Sequence, residues 1–401
     1  MYQHTQQKAS PNKKKLAHLL TVTCIAATAV CAAPNALALG SFFDKDRGGS
    51  VFIMSNQPDA NEILVYRRNK QGELTFLRSR TTPTGGEGAG DNAPADPLGS
   101  QNSLTYDKNS QSLIAVNAGD NTVSAIKVGD FGIRLSVTDV VSSGGSLPVS
   151  TAVNEGNVYV LNAGGEGTLT TFSLQNGKLT ERSSITLGLE EGATEVPFNN
   201  VFTPGQVGID ALNQHAIIVN AAGQELLTID LDAQGLPVGE FTSTATPGIV
   251  PFAFSTTRFG TTVVAEAGSG AVTSFASTNS DNTLTPVSQL VPLDQAAACW
   301  VVIHDNGFGY VSNTASDSIS SFSVDRLGGV SLLESVAGTT AAAPTDMTFA
   351  GDQQFLYSLD AAAGMISAFR VNQTNGALTL VERENTSLPA QGIQGIASFD
   401  K

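Results

Sequence analysis

Seven times along this 401-residue chain an apolar strand ends at a small polar or acidic residue. A second strand, rich in Ser, Thr and small apolar residues, follows about six residues later. Six copies read IAVNAGDNTVSAI, YVLNAGGEGTLTTF, IIVNAAGQELLTI, VVAEAGSGAVTSF, YVSNTASDSISSF and YSLDAAAGMISAF; a looser first copy reads VFIMSNQPDANEILVY. The polar anchors are Asn56, Asn117, Asn162, Asn220, Glu266, Asn313 and Asp360, at spacings of 61, 45, 58, 46, 47 and 47. A unit this small cannot bury its own faces, so the copies must stack on one another.

The unit is built of strands. Period-two alternation runs through 319–324 (ISSFSV) and 366–371 (ISAFRV), in segments rich in Val, Ile, Thr and Phe. Gly, Asn and Asp break the pattern about every 8–12 residues and leave no room for helices. The sixth copy shows four strands: an inner one at 299–304, then 309–312, 319–324 and an outer one at 330–334. Asp305-Asn306-Gly307 reads as the hairpin turn between the first two. This spacing predicts an all-β fold, a seven-bladed β-propeller of four-stranded antiparallel blades. The first copy opens at Ser50 without an inner strand, whereas the chain ends in GIQGIASF (392–399), an inner strand with nothing after it. The C-terminal strand is therefore expected to join the first blade and fasten the ring.

Residues 1–38 read as a leader rather than as fold. Lys13-Lys14-Lys15 precedes an apolar run over 16–30, and Ala36-Leu37-Ala38 supplies a small-x-small cleavage site. The run falls short of the about 20 residues a spanning helix needs. The expected organisation is a signal peptide at 1–38, a short linker at 39–49 and one propeller domain at 50–401. The expected location is periplasmic or secreted, with no membrane contact after cleavage. Cleavage removes Cys24 and Cys31 and leaves Cys299 as the one thiol, so no internal disulfide is expected. The formal charge of −15 becomes more negative without the leader's four lysines, which argues against nucleic acid and anionic membranes as partners. Trp300 is the single Trp, which counts against a carbohydrate-stacking surface. A monomer is expected.

In such a ring the starts of the inner strands and the ends of the second strands share one face. Two long insertions, 83–102 and 187–206, fall on that face and are candidate surfaces for a protein partner. The mouth of the channel there is expected to bind a small molecule through Asn102, Gln206, Phe252, Trp300 and Gln394. The anchor Asn and Asp side chains are expected to cap turns by accepting backbone N–H groups. Glu266 breaks that pattern, and Asp346 follows Pro344-Thr345 at a strand start, so both are candidates for chemistry. His215 and His304 belong to turns on the opposite face, so no Ser-His-Asp or Cys-His set can be assembled at the mouth. The Gly-rich stretches 85–90 and 164–167 lack the strand–loop–helix context of a phosphate loop. The acids Glu87, Asp91, Asp96, Glu190, Glu191 and Glu195 lack EF-hand spacing. No metal and no cofactor are predicted.

The units at 305–334 and 351–382 resemble blades of the lactonase-like seven-bladed propellers, with their YVTN/WD40-like repeats. That group includes 6-phosphogluconolactonases and exported proteins called 3-carboxymuconate cyclases. The likeness runs from about Gly48 to Phe399, and AAACWVV (296–302) and LGSQ (98–101) are similar to the exported branch. The resemblance implies a hydrolase or lactonising enzyme without an obligatory cofactor, acting on a small lactone or carboxylated cyclic compound at the channel mouth. It implies Glu266 as general base and Asp346 as orienting carboxylate. Hydrolytic relatives carry an Arg-His pair after a Pro at an inner-strand start. Here Pro344 is followed by Thr345-Asp346 and Pro251 by Phe252-Ala253. The alternative expectation is a non-catalytic binding or protein-interaction propeller of the cell envelope or extracellular space.

Overall fold

The structure, a computed structural model, describes residues 46–90, 96–189, 204–277, 282–386 and 392–401. The expected leader lies outside them, as do most of the linker and most of the 187–206 insertion. Seven antiparallel sheets are formed, six of four strands and a first with a short fifth strand at its edge. The inner strands are Ile396–Asp400, Leu104–Asp107, Pro148–Asn154, Pro204–Ile209, Pro251–Thr256, Ala298–Ile303 and Pro344–Ala350. Each packs beside the next, from the first blade round to the seventh and back to the first. Four of them start with Pro, which has no N–H to give and is tolerated at the first position of a strand.

Position in the blade explains composition. The second strands Ser112–Asn117, Asn157–Asn162, Thr261–Glu266 and Phe355–Asp360 are buried at every residue, because neighbouring blades cover both of their faces. They read as continuous apolar and small runs. The outer strands Leu284–Pro292 and Val330–Thr339 alternate and carry exposed polar residues. Between blades the wedges fill with branched and aromatic side chains, such as Val263, Val272, Val311 and Phe322. At the turn after the sixth inner strand Gly307 adopts φ 93°, and a Cβ there would lie 2.7 Å from Val324 O.

Neighbouring blades are also joined by buried tyrosines. Tyr159, Tyr310 and Tyr357 sit three residues before their anchors on second strands. Their hydroxyls donate to the carbonyls of Gly235, Gly376 and Gly72 at 2.6, 2.7 and 2.7 Å. Each glycine lies in the turn between the third and outer strands of the next blade, so each bond crosses a wedge boundary. Burial pushes all three phenols up, Tyr159 to about 12.

The ring closes as the sequence predicts. Ile396–Asp400 pairs antiparallel with Arg47–Met54, from Ile53 opposite Ile396 to Gly49 opposite Asp400. The first strand thus begins inside the segment read as linker. Arg68, 3% exposed, meets Asp400 at 2.7 Å and donates to Gly48 O. Asp400 also accepts the N–H groups of Gly351 and Asp352, which ties the tail to the seventh blade.

Candidate functional site

At the starts of the inner strands the segment 98–101 crosses the axis and binds to four blades. Ser100 Oγ donates to Val149 O and the Ser150 hydroxyl donates to Gln101 O, both at 2.7 Å. Gln101 N donates to Gly205 O at 3.1 Å. The Gln101 carboxamide reaches the sixth blade, giving Nε2 to Val301 O and taking Val301 N–H at Oε1, both at 3.0 Å. Trp300 Nε1 and Gln394 Nε2 both donate to Ser100 O at 2.7 Å, and Gln394 Oε1 accepts Leu98 N–H at 2.9 Å. Gln206 uses both ends of its carboxamide on the Phe254 backbone. Phe252 packs edge-on against Trp300 with ring centres 4.7 Å apart. Gln206, Phe252, Trp300 and Gln394 are all buried; Trp300 and Gln394 hold the crossing segment, Phe252 backs Trp300, and Gln206 ties the fourth blade to the fifth. This corrects the expectation that they line an open mouth. Asn102 differs: its carboxamide makes no hydrogen bond among the described residues, and its backbone is left-handed at φ 65°.

Asp346 lies at this end of the seventh inner strand and is 1% exposed. Its Oδ1 accepts its neighbour's N–H, from Met347, at 2.9 Å; Oδ2 faces Ile396 N–H without a well-formed bond. Burial pushes its carboxyl up to about 7, and the charge of Asp96 pushes the same way. Half-buried Asp96 accepts Gly99 N–H at 2.8 Å and anchors the turn into the crossing segment. Burial raises it to about 7 against the pull of hydrogen bonds from Gly99 and Gln394. Cys299, in the same region, is buried, and burial pushes its thiol up to about 12, away from the reactive thiolate.

Glu266 does not join them. It ends the second strand of blade five, fully buried, with Gly248 packed against its carboxyl carbon. Neither oxygen has a well-formed bond; Thr273, Gly248 and Thr246 stand near and offset only part of the burial, which raises the group to about 7. Thr273 belongs to its own blade and Thr246 and Gly248 to the link from the fourth blade, and its place matches the other anchors. Those anchors mostly bind hydroxyls on the third strand rather than turn N–H groups. Asn117 Nδ2 donates to Ser124 Oγ, Asn313 Nδ2 donates to Ser320 Oγ, and Asp360 accepts Ser367. Asn56 and Asp360 also accept backbone N–H groups, from Ala89 and Ala341, which lie on distant segments rather than in the anchors' own turns.

Beyond the crossing segment the channel widens into a cavity of about 530 Å³ that runs toward the ends of the inner strands. Asn102 and Gln206 lie at its floor, and Tyr106, Phe254, Ile303 and Phe349 on its walls. It faces the side opposite the predicted mouth. Among the described residues no group of three or more His, Cys, Asp or Glu side chains could hold a metal, and no helix is long and apolar enough to cross a membrane.

Residues 92–392 match the family described as lactonase, 7-bladed beta-propeller. The chain belongs to this family. Among solved structures it is similar to a periplasmic gluconolactonase of Pseudomonas aeruginosa, at 15% identity and TM-score 0.68, covering 88% of this chain and 99% of that one. It is also similar to a Bacteroides uniformis protein assigned as a 6-phosphogluconolactonase, at 16% identity and TM-score 0.67, covering 87% and 99%. A streptogramin B lyase follows at 13% identity and TM-score 0.51, covering 74% and 86%. No curated protein matches. At these identities the structures share the fold. Two residues important to this family member's axis escaped the sequence reading. Gln101 stood only inside the stretch similar to the exported branch, and Asp96 only among acids that lack EF-hand spacing. Their signal was the 98–101 stretch itself, whose partners lie 49 to 294 residues away.

Proposed function

We propose that this chain is an exported lactonase-family propeller that acts on a small lactone or carboxylated cyclic compound where the inner strands begin, with Asp346 as general base. The observation that carries this reading is Asp346 itself. It is a buried carboxyl at an inner-strand start, with one oxygen lacking a well-formed bond and with a second carboxyl, Asp96, in its field. A group that exchanges its proton near pH 7 suits proton transfer at that pH. In lactone opening, Asp346 takes a proton from the attacking water. The ring C–O bond breaks, and the proton passes to the leaving alkoxide. Asp96 is a second carboxyl whose charge acts on Asp346. Export is supported by the leader pattern and by the periplasmic relative.

A second reading, a binding propeller without chemistry, is favoured by one observation: no Arg-His pair follows Pro344 or Pro251. Hydrolysis of a panel of neutral and carboxylated lactones separates the two. Asp346→Asn is expected to lower turnover by about 10²-fold or more, whereas Glu266→Gln leaves it within a few-fold. Absence of turnover by the wild-type protein transfers the assignment to binding. Turnover indifferent to Asp346→Asn removes Asp346 from the reaction.

A further inference from the structure

We propose that the outer edges of blades five and six dock a second copy of this chain, about a twofold axis that sets the two faces in opposite directions. The protein would then be a dimer rather than the monomer expected from the sequence. Blades five and six hold six of the twelve large apolar residues that are exposed among the described residues. Four of the six share one origin. The outer strand Leu284–Pro292 leaves Val287 and Leu290 without a partner in its ladder, and Val330–Thr339 leaves Leu333 and Val336 without one. At such irregularities an extra residue is turned out of the sheet. Leu290 takes a left-handed backbone there, φ 48°. Blades two and three have Thr138 and Arg182 at their outer-strand irregularities instead. The two edges are continuous: Val330 N donates to Ser288 Oγ at 3.0 Å. A repeated aliphatic device on two adjacent edges marks a surface that is covered.

Charge identifies the occupant as a second copy. At one end of the face the guanidinium groups of Arg258 and Arg326, from neighbouring blades, both lie over the exposed Phe259 ring, at 4.8 and 5.5 Å. They are the only Lys or Arg residues between 251 and 340, and neither makes an ion pair among the described residues. Leu327 beside them is 85% exposed. At the other end the exposed Asp294 and Asp317 flank two loops joined by Ala296 N–H to Ser316 Oγ and by the Ser318 hydroxyl to Gln295 Oε1. Arg383 of blade seven also reaches this end, where its guanidinium donates to Thr339 O. A ten-residue strand separates the ends by about 30 Å, well beyond the screening length of about 8 Å. Each end therefore responds to what directly faces it. Antiparallel docking puts the arginines of each copy against the aspartates of the other, with the aliphatic residues between, and is self-complementary. Parallel docking would set like charges together.

Sedimentation velocity of the exported, purified protein from about 1 to about 100 µM tests this, and a monomer–dimer equilibrium is expected. Leu333→Asp with Val336→Asp places charge between the copies and should weaken dimerisation by about 100-fold or more. Arg258→Gln with Arg326→Gln should weaken it about tenfold and flatten its dependence on salt. All four positions are exposed, so circular dichroism and the melting midpoint of the monomer should match the wild type. Should the aspartate variant fail to fold, the glutamine variant decides. The proposal is overturned by a monomer over the whole range, by a dimer that either pair of changes leaves unweakened, or by assemblies that grow past two copies, which would mean a head-to-tail contact.

Discussion

Asp96, Glu266 and Asp346 hold their protons to about pH 7, and Asp360 to about 6, because burial disfavours their charged forms. Their ordinary values are 3.8 for Asp and 4.5 for Glu. The folded state therefore binds these protons more tightly than the unfolded chain does. The stability they contribute is complete below about pH 4, declines as pH rises, and is lost above about 7. Glu266→Gln removes one such group without changing its shape. Urea unfolding at pH 5 and pH 8 should show the wild type less stable at pH 8, and the variant gaining about 1–3 kcal/mol there. An unchanged pH slope would mean that Glu266 stays charged in the fold. The sequence made Glu266 conspicuous as the odd anchor, but its oxygens' surroundings depend on Gly248 and Thr273, which only the folded blade brings together.

Among elements, the second strands do most to hold neighbouring blades together. Tyr310 is fully buried and its hydroxyl reaches Gly376 O in the next blade. Tyr310→Phe keeps the ring and leaves that carbonyl without its donor, at a cost of about 1–3 kcal/mol. A thermal melt should report a lower midpoint with the secondary structure intact; an unchanged midpoint would mean water replaces the hydroxyl at no cost. The strands themselves were legible, since their alternation and turn residues are local properties. The rivets were half legible. Tyr recurs before the anchor in YVLN, YVSN and YSLD, yet its partner belongs to another repeat. The same limit hid the third-strand hydroxyls from the reading of the anchors as turn caps.

For the whole molecule the count of seven and the role of the tail followed from the repeat, because a first unit lacking its inner strand and a last strand lacking its unit complete each other. Which end of the axis is filled did not follow, because the crossing segment draws partners from blades one, three, four and six at once. Deleting 396–401 removes the inner strand of the first blade and strips buried Arg68 of Asp400. Ile396 alone accounts for roughly 1.5–3 kcal/mol of burial, against a total stability of about 5–15 kcal/mol. The truncated protein is expected to lose its cooperative unfolding transition in circular dichroism; a sharp transition at the original midpoint would show that closure is dispensable. Since Gly49 stands opposite Asp400, the start and finish of the wheel are neighbours in space. The seam is thus an accident of where the polypeptide is cut. A permuted chain, spliced across that junction and reopened at an exposed turn such as the one after the sixth inner strand, would describe the same circle from a different origin.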